Sequence, residues 1–174
     1  EISHCLPTML EAARAVAKNK YQIIVAAAPG IDDSFYQTYL ENEILTRNPY
    51  ATLAQAKAAV VNSGTATLET ALIGCPQTAV YHVAGSKYLE KFLRPIMFSI
   101  PNFTLVNIIS KQEIIQELIA SRFTQENVTN ELQRLLHDNA YREQMQANYL
   151  HLWNILGNNS ASETAAEQII TTVN

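Results

Sequence analysis

Three short, unbroken apolar runs, each set between turn signals, constrain this chain more than any other feature. Tyr21 to Ala28 reads Tyr-Gln-Ile-Ile-Val-Ala-Ala-Ala and closes on Pro29-Gly30. Ala58 to Val61 runs into Asn62-Ser63-Gly64-Thr65, and Gln77 to His82 follows Gly74-Cys75-Pro76. Strands covered on both faces are written this way, because neither face meets water and the polar–apolar alternation disappears. Helical spacing fills the intervals. It covers Leu6 to Lys18, with Ser3 as a cap and Pro7 in the first turn, then Asp32 or Asp33 to about Glu41, and Ala51 to Lys57. A further helix spans Ala66 to Ile73, stopped by Gly74 and kept from resuming by Pro76. Strands alternating with helices predict an α/β fold, a parallel sheet with helices on both faces, whose ligands bind at the carboxyl ends of the strands.

The second half reads as mostly helical. Ser86 to Leu93 has helical spacing, and Pro95 to Asn107 is irregular around Pro95 and Pro101. Ser110 is placed to cap a helix through Ile119. Thr124 opens one ending near Leu136, and Asp138 opens a long one to about Leu156. Gly157-Asn158-Asn159 ends that helix, and Ser160 with Glu163 suits the start of a last one. A length of 174 residues with 48% apolar content suits a single domain with a sizeable core, residues 1–174, on which helices from 138–174 pack or from which they cross.

Several function classes are set aside. A net charge of −4 argues against a broad basic surface for nucleic acid. Cys5 and Cys75 read as reduced, partly buried thiols, and no cluster of ligands suits a metal. The glycosylation-like triplets at Asn127 and Asn158 read as chance matches. No apolar run approaches the roughly 20 residues of a spanning helix.

The segment that carries chemistry is Val60-Val61-Asn62-Ser63-Gly64-Thr65-Ala66-Thr67-Leu68-Glu69. An apolar strand passes through small residues directly into a helix. The helix start presents unsatisfied N–H groups and the positive end of the helix dipole, which suits an anion and especially a diphosphate. Gly64 allows close backbone approach, and the hydroxyls of Ser63, Thr65 and Thr67 are additional donors. Glu69, about one turn in, is positioned to accept from two neighbouring sugar hydroxyls, as acidic residues do in dinucleotide sites. The same residues also read as an ordinary helix cap followed by an acid stabilised by the dipole.

Ser63-Gly64-Thr65-Ala66-Thr67-Leu68-Glu69, followed by Ala71-Leu72-Ile73-Gly74-Cys75-Pro76, resembles the hallmark of the lipid-A-disaccharide synthases. A second block, Phe103-Thr104-Leu105-Val106-Asn107-Ile108-Ile109 with Lys111 to Leu118, is similar to another segment of that family. The last helices, through Gly157 and Ala165-Ala166, resemble its C-terminal end. The resemblance implies a glycosyltransferase of GT-B architecture, two Rossmann-like domains facing a cleft, with this chain as the C-terminal, donor-binding one. It implies transfer of a diacylglucosamine unit from UDP-2,3-diacylglucosamine to 2,3-diacylglucosamine 1-phosphate, with release of UDP, at the cytoplasmic face of the inner membrane and without a metal or other cofactor. Carried onto this sequence, Gly64-Thr65-Ala66-Thr67 holds the diphosphate, with Ser63 beside it. Glu69 holds the ribose, and Asn107 lies near the donor or else ties down its own loop through backbone hydrogen bonds.

The resemblance places a Gly-Ser-Arg loop and an acceptor-binding domain, with the catalytic base, before Glu1. This chain alone is therefore expected to be inactive, and a former domain interface is expected to expose apolar surface. Two departures stand out: Val106 where the family often has Pro, and His82 where a basic residue is common. His82 reads either as a strand-end residue satisfied by backbone or as an anion ligand weaker than Arg. His4, His137 and His151 read as residues of solvated helical faces. Tyr88-Leu89 and Phe92-Leu93, interleaved with Lys87, Lys91 and Arg94, read first as a core-facing helix with a basic outer side, and alternatively as a membrane-facing one. Two other functions stay open: another UDP-sugar enzyme of the same architecture, such as a peptidoglycan glycosyltransferase or an epimerase, and a non-catalytic nucleotide-binding module.

Overall fold

The first helix, α1 (Ile2–Ala17), explains how the rest is arranged, because its two ends pack on different parts of the molecule. In the computed structural model, which describes residues 2–18, 20–62, 64–82 and 102–157, Leu6 and Leu10 of α1 pack with Ala27 and Tyr36. Ala12 and Val16, one to two turns further on, pack with Val80, Leu118, Val128 and Leu132. The helix begins at Ile2, so Ser3 lies inside it rather than capping it, and Pro7 falls beyond the first turn, where its missing N–H leaves the Ser3 carbonyl without the usual intrahelical donor.

Strand β1 (Ile24–Ala26), helix α2 (Asp33–Gln37) and strand β2 (Ile44–Thr46) follow, and β1 and β2 pair in parallel with Ile24 opposite Ile44. Asp32 caps α2 by accepting from Ser34 N. The expectation that Tyr21 to Ala28 is covered on both faces fails here. Only three residues are strand, and Ile24 and Ile44 are 43% and 50% exposed. Strand β2 was not expected, since three residues between polar segments carry too short an apolar signal.

Asn48 caps α3 (Pro49–Leu53), with Pro49 in its first turn. Then come β3 (Ala59–Val61), α4 (Gly64–Ile73) and β4 (Gln77–Tyr81). Gly74 adopts φ +88°, the left-handed conformation that ends α4. Helix α5 (Leu105–Ser110), strand β5 (Gln116–Ile119), a short 3₁₀ turn at Ala120–Arg122, α6 (Gln125–His137) and α7 (Asn139–Leu156) complete the described chain. Thr124 and Asp138 cap α6 and α7 as expected.

The helix expected from Ser110 to Ile119 is overturned: Ser110 ends α5, and Gln116–Ile119 is a strand. β3, β4 and β5 form a parallel sheet in that order, with Val61 opposite Ala79 and Leu118 opposite Val80. Helices cover both faces. Ala79 of β4 packs with Ala71, Val106, Met145, Tyr149 and Leu152, while Val80 beside it packs with α1 and α6. This is the α/β architecture of parallel strands and flanking helices that the alternation predicts. The helices read at Ser86 to Leu93 and from Ser160 onward lie outside the described residues.

Candidate functional site

Strand β3 delivers the chain to the carboxyl edge of the three-stranded sheet, and α4 starts there, at Gly64. A parallel β3–β4 pair forces this geometry, because the chain must return by a helix whose N-terminus lies at the strand's end. The register makes β4 run past β3: Val61 lies opposite Ala79, so Tyr81 sits level with the turn into α4. A Cβ built on Gly64 meets the Tyr81 hydroxyl at 3.3 Å, tighter than ordinary contact, so the glycine accommodates Tyr81 as well as the turn.

The side chains of the turn divide into an inner and an outer set. Thr67 is fully buried, and its hydroxyl donates to the Gly64 carbonyl at 2.6 Å. Thr70 does likewise to Ala66 O at 2.7 Å, and Gln77 Nε2 donates to Thr67 O at 2.9 Å. The first two bonds brace the opening turns of α4, and the third ties them to β4. The Thr67 hydroxyl thus points inward, a use the sequence did not reveal. Thr65 and Glu69, four residues apart on the helix, are both exposed, which puts a hydroxyl and a carboxylate on one outer face. Ala66 lies half-buried between the two sets, and Ser63 lies outside the described residues. At the end of β3, Asn62 Nδ2 is enclosed with no hydrogen-bond partner among the described residues.

Asn107 belongs to a second constellation, centred on a carboxylate that sequence reasoning missed. Glu117 on β5 is 7% exposed. Its Oε1 accepts from Thr104 N at 2.8 Å, Thr104 Oγ1 at 2.7 Å and Asn107 Nδ2 at 2.9 Å, and both its oxygens receive Phe103 N. Asn107, wholly buried, also donates to Ile115 O at 2.9 Å and accepts from Ile114 N and Ile115 N at 2.8 and 3.1 Å. A buried carboxylate is tolerated when this many donors meet it. The knot fixes the loop entering α5 against β5. Asn107 has the loop-tying geometry that was one of its two sequence readings. The visible signal for the loop was Thr104-x-x-Asn107, a cap placed three residues before the amide it accepts from.

A third grouping was also not foreseen. His82, just after β4, meets His4 in the first turn of α1, with ring centroids 4.9 Å apart and planes at 89°. The first turns of α1 and α4 therefore both reach the carboxyl end of the β3–β4 pair.

Elsewhere, both cysteines are buried, and burial pushes the Cys75 thiol up to about 11. The last turns of α7 expose Leu150, Trp153, Ile155 and Leu156, while Trp153 Nε1 donates to Leu72 O at 3.1 Å. Among the described residues no helix is long and apolar enough to cross a membrane. The basic-apolar segment from Lys87 to Arg94 lies outside them.

A family model described as Lipid-A-disaccharide synthetase matches residues 1–170. The lipid-A-disaccharide synthase of Syntrophus aciditrophicus is 32% identical over 99% of this chain and 46% of its own length. That of Koribacter versatilis is 31% identical over 98% of this chain and 46% of its own, and that of Myxococcus xanthus is 30% identical over 98% and 45%. The chain thus spans about half the length of the curated relatives it matches.

Proposed function

This chain belongs to the lipid-A-disaccharide synthase family, and from that premise we propose that residues 1–174 form the donor-binding unit of such a glycosyltransferase. In this reading the donor is a UDP-diacylglucosamine, the acceptor is a diacylglucosamine 1-phosphate held by a separate domain, and the enzyme releases UDP while making a lipid A disaccharide. Helix α7 belongs to the same unit, in keeping with Met145, Tyr149 and Leu152 lying in the core around Ala79. The intact enzyme works in the cytoplasm at the surface of the inner membrane, where its lipid substrates reside.

The observation that carries the reading is the placement of α4. Its N-terminus opens at the carboxyl end of two parallel strands, with Thr65 and Glu69 side by side on the exposed face. Backbone N–H groups there suit the diphosphate, and Thr65 adds a hydroxyl donor, with Ser63 beside it in the chain. The enclosed amide of Asn62 lies in the same turn. Glu69 accepts from the ribose hydroxyls, while Gly64, Ala66 and Thr67 shape the cradle and hold it to β4. Asn107 acts at one remove, by fixing the loop that enters α5.

The chemistry follows from that assignment. When the acceptor hydroxyl attacks the anomeric carbon, the bond to the diphosphate breaks and negative charge grows on the departing UDP. Preorganised N–H donors at a helix end stabilise that charge without having to reorient. They act more strongly once domain closure has excluded water.

The test is calorimetric titration of UDP into this chain and into its Glu69→Ala variant. The variant is expected to bind roughly tenfold more weakly, the worth of hydrogen bonds to a charged group. Equal UDP affinity in the two proteins would remove Glu69 from the ribose, and with it this placement of the nucleotide.

A further inference from the structure

The paired histidines have no evident part in holding the fold. Both rings are exposed, and the apolar clusters beneath them close through Leu6, Leu10 and Val80. Yet they come from elements far apart in sequence, the first turn of α1 and the exit of β4, and their rings meet in a T-shaped contact at 4.9 Å. Ser3 Oγ stands 3.3 Å from His4 Nδ1.

The pair borders the cradle. β3 and β4 are adjacent parallel strands, roughly 5 Å apart as such strands are. His82 lies one residue beyond Tyr81, whose hydroxyl is already against Gly64. The imidazoles and the starts of α4 and α1 thus lie at the same carboxyl edge of the sheet.

We propose that His4 and His82 together bind the terminal phosphate of a nucleoside diphosphate seated at α4, an inference that rests on the donor-site reading above. Each neutral imidazole offers one N–H, and each protonated one offers two and a charge. Two imidazolium groups at this separation repel, and a doubly charged phosphate accepting from both offsets that repulsion. Other titratable groups on the surrounding elements are Tyr81 on β4, Glu69 on α4, and Cys5, Glu11 and Arg14 along α1, with Glu1 three residues before His4 in sequence. Of the carboxylates, Glu69 is assigned to the ribose, and the histidines add to the N–H groups of α4 at the phosphate end.

The chain contains four histidines, so two of them act as internal controls. Imidazole proton resonances are followed by NMR while UDP or uridine is added to the whole chain. UDP is expected to move the signals of His4 and His82 and leave His137 and His151 in place, and uridine is expected to move none. His82→Ala and His4→Ala are each expected to weaken UDP binding roughly five- to tenfold, as loss of a charge-assisted bond does. His82→Arg should retain UDP binding, since it keeps a cation at that position. If UDP binds saturably but the His4 and His82 signals stay still and the alanine variants match the parent, the pair is not a phosphate site, and the nucleotide site survives without it. If UDP does not bind the parent chain, the donor-site reading itself falls, and the pair with it.

Discussion

The two sheets are built on the same parallel principle and held by different forces. In the β3–β4–β5 sheet, Gln77, Thr78, Ala79 and Val80 of β4 are all buried, and its polar side chains bond inward, Thr78 to Gln116 O at 2.9 Å and Gln77 to Thr67 O. In the β1–β2 pair, Ile24 and Ile44 face solvent, and polar clamps do much of the holding. The Tyr36 hydroxyl accepts from Ala28 N at 2.8 Å. Arg47 donates to Ala28 O and Ile31 O and pairs with Asp33. Arg14 of α1 reaches across to Glu43 at 2.6 Å and to Glu41 at 2.9 Å. The larger sheet is stabilised mainly by burial, with the Glu117 carboxylate held inside its knot of donors, while the smaller one adds ion pairs at its rim to the cluster of Leu6, Leu10, Ala27 and Tyr36. The comparison teaches where the turn into α4 is anchored: beside the sheet whose central strand is buried along its length.

The comparison breaks most visibly at Asn107. Asn107→Ala removes four hydrogen bonds and leaves Ile115 N buried without its acceptor, while Ile114 N keeps only Gln112 O. A loss of about 3–4 kcal/mol in urea-denaturation stability is expected, at the upper end for a single polar network. A loss below about 1 kcal/mol would mean that water replaces the side chain and that the knot does not anchor β5.

Acid should strike the other half first. The Arg14 hydrogen bond, helped by the N–H groups of Glu41 and Glu43 and opposed by partial burial, lowers the Glu43 carboxyl from its ordinary 4.5 to about 2. A carboxyl lowered on folding contributes its stability above its unfolded value and loses it as pH falls toward the folded one. About 2 kcal/mol is therefore expected to disappear between pH 4.5 and about 2. Amide exchange should report it as earlier opening of Ile24–Ala26 and Ile44–Thr46 than of β4, and Arg14→Ala should abolish the difference. Uniform acid opening of both sheets would erase the contrast.

The smallest expected effect sharpens the same contrast from the apolar side. Ile44→Thr, at a half-exposed position, should change the melting free energy by no more than about 0.5 kcal/mol. A cost near that of a core truncation would show that β2 is covered in solution by something other than the described residues.

Much of this was legible in the residues. The β3–α4–β4 unit, the stop at Gly74 and the caps at Thr124 and Asp138 are local features, and local chemistry announces them. Strand β5 was not legible, because Ile114, Ile115 and Leu118 recur at helical spacing. What makes a strand of Gln116–Ile119 is distant: β4 offers its edge, and Asn107 takes the amides of Ile114 and Ile115 that a helix would have used. The cradle was legible as a motif but not as a geometry. That Thr67 turns inward while Thr65 and Glu69 share the outer face depends on which side of α4 meets β4. Glu117 and the His4–His82 contact join residues far apart in sequence, so no spacing rule reveals them.

The close approach of Tyr81 to Gly64 makes two positions on separate elements inherit change together. A methyl at 64 meets the phenol oxygen at 3.3 Å, so an alanine there requires the ring to yield by a few tenths of an ångström. Shortening residue 81 to phenylalanine first would make that substitution sterically neutral. Change at the turn into α4 is thereby gated by a strand residue that belongs to the sheet, and the order in which the two mutations arrive decides whether the alanine ever meets that oxygen.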